Sequence, residues 1–166
     1  TKGAFDPTIG PLTQLWRESA RTGKPISASD RTAARKRVNY RWVTVDTISS
    51  GVTLSRAGVR LDLGAIAKGW ILDDVIMQLR RDGASAALVE AGGDIAVFGH
   101  PEPGRPWRVS VARAGGDTVL HLTDGAVSTS GPASQSLRSQ SGRGESHVML
   151  SATGRGVRTG VSAAVT

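Results

Sequence analysis

The sequence predicts an α+β fold, in which a mixed, mainly antiparallel β-sheet packs against a few α-helices. Several apolar stretches with strand character follow one another between residues 86 and 129 without a helical stretch between them, which is typical of an antiparallel sheet. Elsewhere apolar residues recur at helical spacing, so helices are also expected. The length of 166 residues and the hydrophobic content of 39% are enough for one domain with a real core.

Two helices are predicted near the start of the chain. Pro11 suits the first turn of a helix, and the apolar residues that follow keep to one face through about Ala20. A second, mostly polar helix is expected from a cap at Ser29-Asp30 through about Val38.

A β-hairpin and a third strand come next. The residues alternate over Trp42 to Asp46 and over Val52 to Ser55, on either side of Ser49-Ser50-Gly51, and this pattern indicates a hairpin. A third strand is expected over Val59 to Leu63. It leads directly into a helix from Ala65 to about Arg81.

The helix from Ala65 is predicted to be amphipathic. The apolar residues Ile66, Trp70, Val75 and Leu79 are assigned to one face, or near it. Gly83 follows where a helix commonly ends with a glycine in the left-handed conformation.

The second half of the chain is predicted to be mostly strand. A mobile loop is expected from Pro132 to Arg158, because this stretch is rich in Ser, Gly and Arg. The expected strands are Ala86 to Glu90, Ile95 to Phe98, Trp107 to Ala112, Val119 to Leu122, Ala126 to Thr129 and Val161 to Val165.

The formal charge of +7 and the pI near 11 would suit a protein that binds nucleic acid. The basic residues are spread out, however, and the only tight runs are Arg35-Lys36-Arg37 and Arg80-Arg81. Both runs fall in predicted helices, where a solvated face is their ordinary role. No nucleic-acid-binding motif accompanies them, so nucleic acid is the weakest of the functions considered and is not expected as a partner.

Several other classes of site are not expected. No apolar run is long enough to span a bilayer, and no signal peptide is visible after Thr1. The chain has no cysteine, which leaves its redox compartment open, and its three histidines are scattered, so a zinc site is not expected. Gly92-Gly93 lacks the third glycine and the following helix of a Rossmann dinucleotide motif.

The stretch from Leu61 to Trp70 carries the most chemical information. A helix N-terminus offers unpaired N–H groups and a partial positive charge, Lys68 adds a full positive charge, and Asp62 stands where it can hold a cation. These features favour a nucleotide ligand. The alternative roles are a helix cap for Asp62 and a solvated helix lysine for Lys68.

Four blocks of sequence resemble the FAD:protein FMN transferases, also called ApbE-like flavin transferases. They lie, in the family's order, at Gly3 to Leu12, Leu61 to Gly69, Glu90 to Ile95 and Ala126 to Gly131. One such block arises by chance, whereas four in register identify the chain as a partial member of this family. The resemblance implies a single flavin transferase domain over residues 1–166, without the family's N-terminal segment and its C-terminal metal-binding helix.

The resemblance implies which residues contact the substrate FAD. Ala4, Phe5 and Asp6 match positions that hold the adenine and ribose end in relatives, while Asp62 and Lys68 match residues of the flavin nucleotide site. Without the resemblance, the segment around Asp6 would be interpreted as a plain turn.

Three further positions are carried over from the family. Met149 matches a cofactor-binding residue, and Gly92-Gly93 matches a glycine pair that lets backbone approach the nucleotide, with a tight turn as its ordinary role. Ala65 matches the position whose carbonyl oxygen is a ligand of Mg²⁺. The other metal ligands of the family are an aspartate and a threonine in a helix after the strand that ends here at Thr166.

His147 is the candidate general base, with a surface histidine as the alternative. It lies in a block from Ser146 to Gly154 that resembles the family's Ser-His-Ile-Ile-Asp-Pro-Arg-Thr-Gly. In this chain the aspartate is replaced by Leu150, and Pro-Arg is replaced by Ser151-Ala152. These changes affect the catalytic prediction more than the binding prediction.

The predicted function is Mg²⁺-dependent transfer of FMN from FAD to a Thr or Ser hydroxyl of a partner protein. Hydrolysis of FAD to FMN and AMP is one alternative. A flavin-binding homologue without catalysis is another, because Leu150 replaces an aspartate and the metal-binding helix is not in this sequence. By the same resemblance the protein is expected to be exported, in the periplasm or on the outer face of the cytoplasmic membrane.

Overall fold

A computed structural model of the protein describes residues 3–112, 116–130, 136–137, 145–158 and 163–165, and confirms the α+β class. In these residues the helices are α1 (Gly10–Thr22), α2 (Ala28–Arg35) and α3 (Gly64–Arg81). The strands in the same residues are β1 (Val43–Asp46), β2 (Gly51–Leu54), β3 (Ala87–Ala91), β4 (Asp94–Phe98), β5 (Trp107–Val111), β6 (Thr118–Leu122), β7 (Gly125–Ser130), β8 (Ser136–Leu137), β9 (Glu145–Leu150), β10 (Arg155–Arg158) and β11 (Ala163–Val165).

The chain divides into two compact units. The first unit consists of Thr1–Leu63 and Gly131–Val161, and the second unit consists of Gly64–Ser130 and Ser162–Thr166. The paired strands listed above are antiparallel to one another, and a single-residue parallel bridge joins Ile9 and Arg60 in the first unit. The single flavin transferase domain stays a prediction.

Helix α1 begins one residue before the predicted start. Pro11 lies in its first turn, where the missing N–H of proline costs no hydrogen bond. The helix ends at Gly23, which has φ +69° and donates its N–H to the carbonyl of Ser19. Leu12, on the inner face of α1, is fully buried and belongs to the core of the first unit.

The predicted cap of α2 was wrong by two residues. Ser27, in extended backbone, is the N-cap, and its side chain accepts a hydrogen bond from the N–H of Asp30. Ser29 and Asp30 are already helical, so neither occupies the capping position. The helix ends at Arg35 instead of near Val38.

The predicted hairpin is confirmed, and one of its faces is apolar and exposed. Strands β1 and β2 pair so that Val45 faces Val52 and Val43 faces Leu54, which places four apolar side chains on the same face. Val45 is 64% exposed and Val52 is 55% exposed, while Ile48 in the turn is 97% exposed. Residues 40–42 form a 3-10 helix, so the first strand starts at Val43.

The predicted strand over Val59 to Leu63 was wrong. Only Arg60 makes a bridge, to Ile9, and its carbonyl also accepts the N–H of Gly10 at 3.2 Å. The neighbouring segment turns into α1 at Gly10, so it offers no extended partner along which a ladder could continue. A Cβ on Gly10 would lie 2.6 Å from the Arg60 carbonyl oxygen, so this approach requires glycine.

The predicted mobile loop from Pro132 to Arg158 was also wrong where the structure describes it. Strand β9 pairs with both β8 and β10, and the β9–β10 turn at 151–154 is closed by a 2.7 Å hydrogen bond from the N–H of Gly154 to the carbonyl of Leu150. The Ser- and Gly-rich composition hid the alternation of buried and exposed residues along β9. The rest of that stretch lies outside the described residues.

In the second unit, α3 packs against β3 and β4 of a sheet with the order β11-β7-β4-β3. The core includes Val109 and Val111 from the β5–β6 hairpin and Val127 from β7. The strands predicted between residues 86 and 129 agree with β3 to β7 within one residue at each end. The last predicted strand is confirmed over Ala163–Val165.

The apolar face predicted for α3 was wrong in part. Val75 and Leu79 are half-buried, but Ile66 is exposed and Trp70 is 70% exposed, while the buried residue is Leu72. At 100° per residue, Ile66 and Val75 lie on opposite sides of the helix, so they were never on one face. Gly83 ends the helix as predicted, with φ +88°.

Candidate functional site

Three of the four recognised sequence blocks meet in the second unit around Lys68. Its ammonium group lies 2.7 Å from the carboxylate of Asp94 and donates a hydrogen bond of 3.3 Å to the carbonyl of Gly92. On the other side Ser128 donates to Asp94 at 2.8 Å. The hydroxyl of Thr129 donates to the carbonyl of Gly93 at 3.2 Å. We call these residues the Lys68–Asp94 cluster.

Asp94 is the electrostatic centre of this cluster. Its side chain is 11% exposed, and this burial opposes ionisation. Hydrogen bonds from Lys68 and Ser128, together with the charge of Lys68, outweigh the burial and lower the pKa of Asp94 below its ordinary value. The carboxylate is therefore held ionised, next to a cation that stays partly in contact with solvent.

The turn between β3 and β4 fixes the backbone of the cluster. Gly92 has φ +57° and Gly93 has φ +88°, a pair of left-handed residues that suits a two-residue hairpin turn. Glu90 accepts the N–H of Gly93 at 2.8 Å. The tight-turn role of the glycine pair is confirmed, while its approach to a nucleotide stays a prediction.

Asp62 lies in the first unit with partners of its own. Its carboxylate accepts hydrogen bonds from the hydroxyl of Thr13 at 2.7 Å and from the guanidinium of Arg17 at 3.0 Å. Its backbone N–H donates to the carbonyl of Pro7 at 2.8 Å. Helix α1 therefore orients the carboxylate that the sequence singled out first.

An open cavity of about 340 Å³ lies beside Asp62 in the first unit. Residues that line it include Gln14 and Arg17 from α1, and Arg60 from the segment that precedes Asp62. Thr13 contributes the hydroxyl that bonds to Asp62. The residues that line the cavity therefore include one acidic residue, two basic residues and other polar residues, together with Leu61 and Leu63.

Asp6 has a structural role. It is buried, and its carboxylate accepts hydrogen bonds from the N–H and hydroxyl of Thr8 at 2.9 and 2.6 Å and from the N–H of Tyr40 at 3.1 Å. Thr8 in turn accepts the N–H of Asn39 at 2.8 Å. The turn interpretation is confirmed, and Asp6 and Thr8 together tie this turn to residues 39–40. Ala4 is exposed and Phe5 is half-buried; their contact with FAD stays a prediction.

His147 and Met149 lie on β9 in the first unit, and both are half-buried. The imidazole of His147 meets the indole of Trp16 edge to face, with ring centroids 6.2 Å apart and planes at 66°. In the following turn, Ser151 donates a hydrogen bond of 2.9 Å to the carbonyl of Gly3. Ser151, one of the residues that departs from the family pattern, thus ties this block to the first block of the sequence.

The described residues do not fit a complete Mg²⁺ site. Ala65 lies in the first turn of α3, as the sequence predicted, and it is exposed. Within the part of the chain that the structure describes, no group of three or more His, Cys, Asp or Glu is placed to hold a metal ion. Octahedral Mg²⁺ needs several oxygen ligands, and the Ala65 carbonyl, carried over from the family, would supply one of them.

Sequence reasoning missed five residues: Thr13 and Arg17, which bond to Asp62, and Asp94, Ser128 and Thr129 of the Lys68–Asp94 cluster. Asp94 and Ser128 belong to recognised blocks, and an acidic residue directly after a glycine pair was a usable signal. Thr13 and Arg17 lie 49 and 45 residues from Asp62, so no local pattern pointed to them.

The whole sequence, residues 1–166, matches the model of the ApbE family. The chain belongs to the ApbE family. Among similar ApbE-family proteins, the FAD:protein FMN transferase of Vibrio cholerae is 31% identical over 170 residues, which cover 97% of this chain and 49% of that protein. The FAD:protein FMN transferase of Haemophilus influenzae is 33% identical over 120 residues, covering 68% of this chain and 34% of that protein.

Solved ApbE structures have the same fold over the length of this chain. The ApbE protein of Thermotoga maritima gives a TM-score of 0.84 at 33% identity, covering 98% of this chain and 54% of that one. The apo form of the flavinyl transferase ApbE of Pseudomonas stutzeri gives 0.81 at 29% identity, covering 99% and 52%. The chain spans about half the length of these relatives. Among its described residues, no helix combines the length and apolar character needed to cross a bilayer.

Proposed function

We propose that this chain binds FAD and contributes to a site that transfers FMN from FAD to a Thr or Ser hydroxyl of a partner protein. Similar ApbE-family proteins are FAD:protein FMN transferases. The observation that carries the proposal is the position of Asp62, which matches a flavin nucleotide residue of the family and lies beside a cavity lined by Arg17 and Arg60. Guanidinium groups suit the phosphates of such a substrate.

The proposed reaction exchanges a phosphoanhydride bond for a phosphate ester bond. The acceptor hydroxyl oxygen bonds to the phosphorus of the FMN half of FAD, and the bond from that phosphorus to the bridging oxygen breaks. AMP leaves with the bridging oxygen, and the hydroxyl proton passes to a base. His147 is the proposed base, oriented by its contact with Trp16.

Mg²⁺ dependence is part of the proposal, and it is supported by the resemblance. A bound ion would neutralise charge on the pyrophosphate and on the departing AMP. Since Ala65 supplies one oxygen, Mg²⁺ is expected to bind weakly to these 166 residues, and calorimetry with Mg²⁺ and FAD measures this. Stoichiometric micromolar binding would show that other residues supply the ligands.

Titration with FAD, followed by flavin fluorescence, tests the binding proposal. Asp62→Ala is expected to raise the Kd for FAD at least tenfold, equivalent to about 1.4 kcal/mol. Asp46→Ala is the matched control, because Asp46 is an exposed aspartate of the same unit whose carboxylate accepts hydrogen bonds from Ile48 and Ser49 in its own hairpin turn. Equal Kd values for wild type and a folded Asp62→Ala variant would refute the role of Asp62.

A transfer assay separates the proposed activity from its alternatives. With an extended chain that includes the family's metal-binding helix, a Thr-containing peptide should gain FMN, and His147→Asn should slow this by roughly 10²-fold with little change in FAD affinity. Release of FMN and AMP at the same rate without peptide would indicate hydrolysis. FAD binding without either product would indicate a flavin-binding homologue.

The proposal also places the reaction outside the cytoplasm, in the periplasm or on the outer face of the cytoplasmic membrane. The support for this location is the resemblance to the flavin transferase family. Cell fractionation of the native host, with antibody detection of this chain, tests it. Recovery with cytoplasmic marker proteins would contradict it.

A further inference from the structure

The β1–β2 hairpin is exposed on both of its faces. Thr44 and Thr53 lie on one face, Val45 and Val52 lie on the other, and all four residues are exposed. Within the described residues the sheet consists of these two strands, and a two-stranded hairpin is marginally stable in water without a further layer packed on it. The apolar face therefore offers a surface that a partner can cover.

The apolar side chains continue to the end of the hairpin. Ile48, in the turn between the strands, is almost fully exposed and follows the Val45–Val52 pair. We call Val45, Ile48 and Val52 the hairpin tip. The nearby carboxylate of Asp46 accepts hydrogen bonds from the N–H of Ile48 at 2.9 Å and from the hydroxyl of Ser49 at 2.6 Å. These donors compensate part of the negative charge beside the hairpin tip.

Aromatic and basic side chains meet at the base of the hairpin. The carbonyl of Trp42 accepts the N–H of Ser55 at 2.9 Å, which closes the hairpin at that end. The guanidinium carbon of Arg56 lies 5.9 Å from the centre of the Trp42 ring. The guanidinium carbon of Arg41 lies 5.9 Å from the centre of the exposed Tyr40 ring. Both arginines are exposed, so ring contacts hold them beside the hairpin while they remain accessible from solvent.

Positive charge is concentrated in the segment that contains the hairpin. Residues 31–60 include seven basic residues and one acidic residue, Asp46. Arg37 is exposed and lies against Gly58, where a Cβ would be 3.0 Å from the Cδ of Arg37. Its side chain is therefore next to the segment that follows β2. The hairpin thus combines an apolar tip with a cationic base.

We propose that this hairpin docks on the surface of a bilayer that contains anionic phospholipids. The hairpin tip enters the boundary between headgroups and acyl chains, while Arg37, Arg41 and Arg56 contact lipid phosphates. Strand β1 rises about 10 Å along its length, close to the depth to which the apolar faces of interfacial helices are buried. Aromatic rings and long basic side chains suit the headgroup level, because each has an apolar body and a polar end.

Two other occupants fit the hairpin less well. A nucleic acid would contact the basic residues and leave the hairpin tip in water. A second copy of the chain would bring two sets of the same basic residues together, so like charges would oppose the contact. An anionic bilayer takes the apolar and the basic side chains at once.

Vesicle flotation of the full 166-residue chain tests the proposal. Wild type should float with vesicles that contain phosphatidylglycerol, and much less with vesicles of phosphatidylcholine alone. Arg41→Gln with Arg56→Gln should weaken binding to the anionic vesicles by at least about tenfold, because both cations are lost from the surface. Ile48→Ser with Val52→Thr should weaken it to a similar extent, because less apolar surface leaves water.

Thr44→Ser with Thr53→Ser is the matched control. Both threonines lie on the opposite face of the same strands, and the substitutions keep their hydroxyl groups. This double variant should bind the anionic vesicles like wild type. Circular dichroism of each variant confirms that the fold is retained.

A label at the hairpin tip reports insertion directly. The chain has no cysteine, so Ile48→Cys provides a single site for an environment-sensitive fluorophore. Its emission should shift to shorter wavelength on vesicles with phosphatidylglycerol. The same label on Ala20→Cys, an exposed position of α1, should not shift.

Three results would overturn the proposal. The first is wild type that stays behind when the anionic vesicles float. The second is equal vesicle binding by wild type and by Ile48→Ser with Val52→Thr, accompanied by equally tight binding of a DNA duplex, which would assign the surface to polyanions in general. The third is protein that pellets with or without vesicles, which would make a second copy the occupant. No flavin is present, so these results are independent of the proposed transfer reaction.

Discussion

Two aspartates of the second unit show how burial changes the contribution of an ion pair to the stability of the fold. Asp94 is nearly enclosed beside Lys68, whereas Asp124 pairs with Arg80 and both of these side chains are more than half exposed. Solvent and salt screen the exposed pair, so it contributes little to stability. Burial of the enclosed carboxylate opposes ionisation, but the hydrogen bonds from Lys68 and Ser128 outweigh it, so the pKa of Asp94 is lowered in the folded protein.

This lowered pKa predicts a pH dependence of stability at Asp94. Because its pKa is lowered in the folded state, the stabilisation is present above the ordinary aspartate pKa of about 3.9 and is lost as pH falls through the lower, folded value. Asp94→Asn should lower the free energy of unfolding by about 2 kcal/mol at neutral pH, the usual scale for a hydrogen-bonded charge. The difference should shrink steadily below about pH 4.

Urea unfolding of wild type and variant across this range measures the effect. Asp124→Asn is the control, and it should change the free energy of unfolding by less than about 1 kcal/mol at any of these pH values. A pH-independent cost of Asp94→Asn would mean that its carboxylate charge is not what stabilises the fold.

At the scale of single residues, the sequence singled out Asp62 and Lys68 but not the residues that bond to them. Asp62 and Lys68 stand in a block whose residue types already suggest nucleotide chemistry. Their partners Thr13, Arg17 and Asp94 are contributed by other elements, and only tertiary folding brings them near. Asp6 shows the converse, because its side chain, assigned to the ligand, also accepts the backbone N–H of Tyr40 within the fold itself.

Among the elements, the β9–β10 hairpin depends on one glycine. Gly154 has φ +66°, and a Cβ there would lie 3.0 Å from a methyl carbon of the buried Leu12 and 3.2 Å from Arg31. Gly154→Ala therefore combines backbone strain of about 1–2 kcal/mol with a clash against α1. The variant should unfold at a clearly lower urea concentration than wild type.

Substitution of Gly23 measures the backbone strain separately from the packing clash. It caps α1 with φ +69°, and a Cβ there would meet nothing within 4 Å. Gly23→Ala should therefore show the strain alone, and its loss of stability should be smaller than that of Gly154→Ala. If both variants lost the same stability, the packing of Gly154 on Leu12 would contribute nothing.

At the scale of elements, local signals explain both the successes and the errors. Proline, glycine and alternating residues marked α1, α3 and the strands β3 to β7, because each of these signals lies within the element that it marks. The segment Val59 to Leu63 looked like a strand, but its neighbour becomes helix at Gly10, which no pattern within the segment reveals. Composition misled over Pro132 to Arg158, since alternation along β9 was the stronger signal.

Across the whole molecule, charge is divided unevenly between the two units. The first unit contains 15 of the 21 Lys and Arg residues but 6 of the 14 Asp and Glu residues. The net positive charge of the chain therefore resides in the first unit, which also contains the Asp62 cavity. Binding of a phosphorylated ligand there should weaken as salt is raised, because salt screens the attraction.

The exposed apolar face of the β1–β2 hairpin affects the colloidal solubility of the protein. Val45 and Val52 form an exposed apolar pair on a two-stranded sheet, which favours association between molecules. The hairpin belongs to the cationic first unit, so electrostatic repulsion opposes that association. Salt shortens the range of that repulsion from about 30 Å at 0.01 M to about 3 Å at 1 M. Concentrated solutions of the protein should therefore aggregate when sodium chloride is added.

Light scattering at increasing protein concentration measures this colloidal limit. Val45→Thr with Val52→Thr should raise the concentration at which scattering begins in 1 M salt. Thr44→Ser with Thr53→Ser, on the opposite face of the same strands, should leave it where it is. If both double variants scatter like wild type, the hairpin face does not mediate self-association, and another surface limits the solubility of the protein.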